Sequence, residues 1–164
     1  MIWVILMIIL VGLDQWTKWF FFVNQSQFSH FEVIKDFFYL TYVENRGAAF
    51  GMMQNFRWGF LIITPVVLVF LIIYFIKNRN TLLRSALTFF IAGAVGNFID
   101  RLFRGFVVDF LDFYPFGYDF PVFNAADIFV NIGAALLIIY LIFIYKEPEK
   151  EKEEKKEVQE QNGD

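Results

Sequence analysis

Asp100, Asp109, Asp112, Asp119 and Asp127 all fall between Gly93 and Gly133, in or between segments apolar enough to lie in a bilayer. A carboxylate at hydrocarbon depth costs about 3 kcal/mol even on lenient insertion scales, so its presence there points to a function. Other polar residues of the region repeat at helical spacing. Asn97, Asp100 and Arg101 stand at i, i+3, i+4, and Asn124, Asp127 and Asn131 at i, i+3, i+7, each set forming one stripe of a helix. Nearer the N-terminus, Asp14 and Lys18 stand at i, i+4 on one face, where they can neutralise each other or present charge to a helix bundle.

The simplest chemistry open to such a set is activation of water by two carboxylates. Two close aspartates do not both ionise comfortably, so one keeps a proton. The ionised member then takes a proton from water while the protonated one polarises a scissile carbonyl. Such a pair titrates as a unit. It needs no cysteine, histidine, metal or nucleotide, and this chain has no cysteine and a single histidine, His30. No H-E-x-x-H, P-loop or G-x-S-x-G pattern is present. Among the five aspartates, Asp100 reads as a support held ionised by Asn97 and Arg101. Asp112 and Asp119 lie in a stretch with Pro115, Gly117 and Pro121 and read as solvated loop residues. Asp109 and Asp127 are left. The apolar run around Asp109 favours its neutral form, whereas Asp127 opens a helix, at the end of the dipole that suits negative charge.

The elements that must position these groups follow from the apolar runs. The chain of 164 residues is 58% hydrophobic and 21% aromatic, against about 45–50% apolar in soluble domains. Four runs are long enough to span, at about 2–23, 58–76, 85–103 and 124–145. The fold class expected is an α-helical integral membrane protein, a four-transmembrane-helix bundle with a small extracytoplasmic β element between helices 1 and 2. The start lacks a basic n-region and a small-residue cleavage site, so it reads as a retained helix. Segments 24–57 and 104–122 face outward, the first holding a strand around Phe37–Val43, the second a loop. Asn45, beside Arg46-Gly47, by itself reads as a turn asparagine. Lys77, Arg79 and Arg84 cluster in one short connection without an acid, which places that connection and both termini in the cytoplasm. The three polar groups then share one depth, near the outer boundary. Residues 1–145 form one domain, and 146–164 is a charged tail expected to be disordered. The net charge of −3 carries no basic stripe for nucleic acid.

Five segments in order resemble the bacterial lipoprotein signal peptidase (signal peptidase II) family. They are Leu13-Asp14-Gln15-Trp16-Thr17-Lys18, Glu44 to Gly51, Gly93 to Arg101, Val107-Val108-Asp109-Phe110 and Phe123-Asn124-Ala125-Ala126-Asp127. The resemblance spans about residues 12 to 133. It implies an intramembrane aspartyl endopeptidase of the bacterial cytoplasmic membrane. Such an enzyme removes signal peptides from diacylglyceryl-modified prolipoproteins, cutting before the lipidated cysteine. It implies Asp109 and Asp127 as catalytic, and Asp14, Asn45, Asn97, Arg101 and Asn124 as polar support and substrate contacts. Lys18, Gly47, Asp100 and Ala126 match further motif positions. Membrane lipids, a lipid-modified substrate and globomycin-type inhibitors are the partners implied, with no metal or other cofactor.

Two other functions fit membrane-embedded carboxylates. A small polytopic transporter or proton channel would need a polar file reaching both faces, whereas the other halves of the last three spans are almost purely apolar. A structural subunit would tolerate Asp109→Asn and Asp127→Asn.

Overall fold

A computed structural model describes residues 1–47 and 56–145. Helix α1 runs Ile2–Val23, α2 Arg57–Lys77, α3 Thr81–Phe103 and α4 Ala125–Phe143. Each is long and apolar enough to cross a membrane, as the four runs implied. The start of α3 lies ahead of the expected position 85 because Asn80 caps it. The Asn80 side chain accepts the Leu83 N–H at 3.1 Å, satisfying a donor that the first turn leaves free. Arg84 donates to the Asn78 carbonyl at 2.7 Å and lies over the Phe75 ring, so this basic residue belongs to the helix and not to the connection.

Helix α3 is the axis of the bundle and packs against α1, α2 and α4. Glycines permit the close approach to α4: a Cβ on Gly133 would stand 2.8 Å from the Ala86 carbonyl oxygen, and one on Gly93 would meet Val130 and Ala126. Leu83, Leu87, Ile91 and Tyr140 close the core at one end. No residue of α2 is fully buried, so it faces outward along its length with Pro65 inside it. A membrane helix accommodates such a proline where its neighbours re-satisfy the freed carbonyl.

The opposite end carries a three-stranded antiparallel sheet of β1 (Phe31–Ile34), β2 (Phe38–Asn45) and β3 (Val107–Phe113), in that order. The β element is therefore not confined to the segment between helices 1 and 2. The 104–122 stretch, read as a loop, supplies the third strand. Its strand character was masked by the aspartates that interrupt the apolar run, and its partner lies some sixty residues away, with Val43 opposite Asp109. Val108 and Phe110 of β3 pack on Phe21 of α1, the Phe21 and Phe110 rings stacking at 4.3 Å. This seats the sheet on the ends of α1 and α3. Asn45, read as a turn asparagine, is instead the last residue of β2.

Candidate active site

The polar side chains at the sheet end come from α1, α3, β2, β3 and the start of α4, and α4 supplies the first. Its opening turn is a reciprocal capping box. Asn124 Oδ1 accepts the Asp127 N–H at 3.1 Å, and Asp127 Oδ2 accepts the Asn124 N–H at 3.2 Å. The residues that begin the helix thus also orient Asp127. Asp109 comes from β3, where only 2% of it is exposed.

Three asparagines link these carboxylates, and each follows one rule. Asn97 Oδ1 is taken by Lys18 Nζ at 2.8 Å, and an ammonium can only donate, so Asn97 Nδ2 points to Asp127 Oδ1 at 2.8 Å. Asn124 Oδ1 is taken by the helix cap, so its Nδ2 points to Asp109 Oδ1 at 2.5 Å, with Asn97 Oδ1 at 3.3 Å. Asn45 Oδ1 accepts the Gly47 N–H at 2.9 Å, so its Nδ2 points to Asp109 Oδ2 at 2.8 Å. A group that can only donate pins each amide oxygen, the Lys18 ammonium for Asn97 and the backbone N–H of Asp127 or Gly47 for Asn124 and Asn45, and each amide nitrogen lands on an aspartate. Asp109 and Asp127 accordingly open on one cavity of about 500 Å³, shared with Asn45, Asn97, Arg101 and Asn131.

Burial, with the negative charge of Asp127 added, pushes the Asp109 carboxyl up to about 7. The hydrogen bonds from Asn124 and Asn45 and the charge of Lys18 pull the other way and lose. Removing a carboxylate from water outweighs two neutral donors.

Beneath the asparagines lies a fully buried ionic cluster. Lys18 meets Asp14 at 3.0 Å and Asp100 at 3.6 Å, and none of the three is exposed to solvent. Asp14 Oδ1 accepts the Ala126 N–H at 2.9 Å, tying α1 to the first turn of α4. Gly96 of α3 leaves room for that carboxylate, since a Cβ there would overlap Asp14 and press on Ala126. Asp100 Oδ2 accepts the Val108 N–H at 3.0 Å, tying α3 to β3.

Asp100 is held by cations, but not by the neighbour expected. Its cations are Arg104, one turn on, and Lys18, with Gln15 Nε2 donating at 3.3 Å. Arg101 turns away from it, lies 4.5 Å from the centre of the Phe60 ring and donates to the Gly47 carbonyl at 3.0 Å. Successive helix residues point about a quarter-turn apart, so adjacency in sequence did not make a pair. Asp112 is also not a solvated loop residue. It is buried in β3, where burial raises its carboxyl above the usual range, and its Oδ2 lies 4.0 Å from His30 Nδ1. Asp119 is exposed, as expected of a loop aspartate.

Gln15, which stands in the first motif, and Arg57 and Arg104, which stand in none, are given no role by the sequence. Gln15 bridges Asp14 and Asp100, and Arg104 pairs with Asp100. Arg57 donates from α2 to the Arg101 and Leu102 carbonyls at 2.8 and 3.0 Å, covering the end of α3. Only Arg104 left a readable signal, its i, i+4 spacing from Asp100. Motif residues Ala48 to Gly51 and the charged tail lie outside the described residues.

Comparison with known proteins follows the same outline. A family model described as signal peptidase (SPase) II matches residues 6–143. A lipoprotein signal peptidase of Halothermothrix orenii is 46% identical over 142 residues, covering 86% of this chain and 94% of that protein. One from Symbiobacterium thermophilum is 44% identical over 146 residues, covering 88% and 96%. Two solved structures, each described as a bacterial membrane enzyme, are 40% identical to the chain, with TM-scores of 0.79 and 0.77. They cover 85% and 87% of it, and it covers 87% and 94% of them.

Proposed function

The chain belongs to the signal peptidase II family, and from that premise we propose that it cleaves lipid-modified prolipoproteins as an aspartyl endopeptidase with Asp109 and Asp127 as its dyad. The observation that carries this reading is the set of three pinned asparagines that present N–H donors to both carboxylates on one cavity. Groups so arranged turn two acids onto one cavity, and the burial of Asp109 leaves it the member that keeps the shared proton up to about pH 7.

In the reaction, Asp127 takes a proton from a water in the cavity, and the oxygen attacks the scissile carbonyl carbon. Asp109 gives its proton toward the carbonyl oxygen, where negative charge develops. Collapse of the tetrahedral intermediate breaks the C–N bond. The departing nitrogen takes up a proton from the dyad, leaving a signal peptide with a new carboxylate and a cysteine with a free amine. One proton shared by the pair is required at the start. The rate constant kcat is therefore expected to fall as pH rises through about 7, where Asp109 loses that proton. A pH profile of cleavage that stays flat well into the alkaline range contradicts the assignment.

The bond cut would lie just before a diacylglyceryl-modified cysteine, reached from the bilayer side of the cavity. The basic connection between α2 and α3 supports a cytoplasmic placement of both termini and an active site near the outer face of the bacterial cytoplasmic membrane. A transport reading is disfavoured by the confinement of the ionic cluster to one end, since the opposite end is closed by Leu83, Leu87, Ile91 and Tyr140.

The test is cleavage by the purified protein of one precursor in lipidated and unmodified form. The acyl chains add membrane-side binding energy, so the unmodified form is expected to lose at least about tenfold in kcat/KM. Equal rates would remove the lipid from the recognition.

A further inference from the structure

One polar residue of the α4 stripe takes no part in the network around the dyad. Asn131 is exposed on the wall of the same cavity, and the hydrogen bonds that engage the other amides leave it without a side-chain partner among the described residues. It stands four residues beyond Asp127, on the same face and about 6 Å farther along the helix, away from the sheet and toward the apolar interior. Its neighbours Ile128 and Ile132 are exposed hydrophobics of the kind that face lipid. An amide at that depth is costly unless it finds a hydrogen-bond partner. Among the described residues no side-chain partner is supplied, which leaves the amide free for a ligand.

We propose that Asn131 forms a lipid-side subsite, its Nδ2 donating to an ester carbonyl of the diacylglyceryl group on the substrate cysteine. The inference rests on the peptidase reading and extends it to the lipid. With the scissile carbonyl at Asp109 and Asp127, the modified cysteine is the next residue. Its thioether arm carries the glycerol esters a distance comparable to one helical turn, and their acyl chains run into the bilayer, the direction in which Asn131 lies. The esters present only acceptors, which matches an amide nitrogen with free hydrogens.

The experiment compares one lipopeptide precursor carrying either ester-linked or ether-linked chains, the ether form lacking only the carbonyls. The full-length protein and Asn131→Leu are assayed in bilayer nanodiscs. Leucine at an exposed, unpartnered position of a membrane helix is compatible with the fold. One neutral hydrogen bond predicts that the unsubstituted protein prefers the ester form by about 2- to 10-fold in kcat/KM. In Asn131→Leu the ester form should drop to the level of the ether form, the loss falling on KM with kcat nearly unchanged. Three results overturn the subsite: no ester preference in the unsubstituted protein, an ester preference that survives Asn131→Leu, or an equal loss on both substrates. The last would assign the amide to the signal-peptide backbone. Failure of the unsubstituted protein to cleave either lipidated form would instead sink the peptidase reading, and the subsite with it.

Discussion

Asp127→Asn abolishes cleavage of a lipidated precursor, with kcat reduced at least about 10³-fold, and Asp109→Asn does the same. Neither amide can take up and return a proton, so the pair loses its shared acid–base function whichever member is replaced. The substitutions are close in shape but not silent in the network. Both oxygens of Asp109 receive an amide N–H, from Asn124 and from Asn45. An asparagine at 109 must turn its own NH2 toward one of those donors and forfeit that hydrogen bond, at about 1–3 kcal/mol. At 127 the capping box and Asn97 pose the same conflict. Thermal unfolding in micelles, run beside the cleavage assay, separates the two effects. A modest fall in Tm with no turnover is the expected pair of readings. A folded variant that cuts at the unsubstituted rate would mean that its aspartate is not part of the chemistry.

Lys18→Met destabilises the protein by about 3–5 kcal/mol. Lys18, Asp14 and Asp100 are all fully buried, and the lysine is the cation nearest to Asp14. Removing it leaves a carboxylate in the interior with only neutral donors, Gln15 and the Ala126 N–H. Asp100 fares better because Arg104 remains. The double variant Asp14→Asn, Lys18→Met should therefore recover most of the loss. The amide oxygen introduced at position 14 can still accept the Ala126 N–H, and no lone charge is left. Denaturant unfolding of the two singles and the double in detergent measures this coupling. Additive losses would show that the pair is not the source. Activity is expected to stay low in the double variant even where stability returns, because without the ammonium only the longer contact from Asn124 Nδ2, at 3.3 Å, holds the Asn97 oxygen away from Asp127.

Four apolar runs and their order were legible along the chain, and the two aspartates singled out there, Asp109 and Asp127, line one cavity. These readings depend on local quantities: length of an apolar run, helical periodicity, the place of Asp127 at a helix start and an apolar neighbourhood at Asp109. The i, i+4 pairing of Asp14 with Lys18 is local too, and it is found at 3.0 Å. The pairing of Asp100 was misjudged because adjacency was read as contact. The true partners sit one turn away, at Arg104, and on another helix, at Lys18 and Gln15. Asp112 was misjudged because the proline and glycine beyond it suggested a loop, while its burial follows from a strand pairing that no local pattern encodes.

By itself, then, the sequence determined which segments can cross a membrane and which residue types can perform acid–base chemistry there, because hydrophobicity, periodicity and capping act over a few residues. Only the tertiary structure decided which aspartate each amide nitrogen serves. Asn45, Asn97 and Asn124 come from β2, α3 and the start of α4, and Lys18 from α1. An asparagine can face either way until a partner of fixed polarity is brought to one side of it. That partner comes from a distant element for Asn97, which meets Lys18 only when α1 packs on α3. Asn124 and Asn45 are pinned by neighbouring backbone, but their nitrogens reach Asp109 only when β3 is laid between β2 and the first turn of α4. Packing of the helices and strands thus turned a list of plausible residues into two carboxylates held by oriented donors.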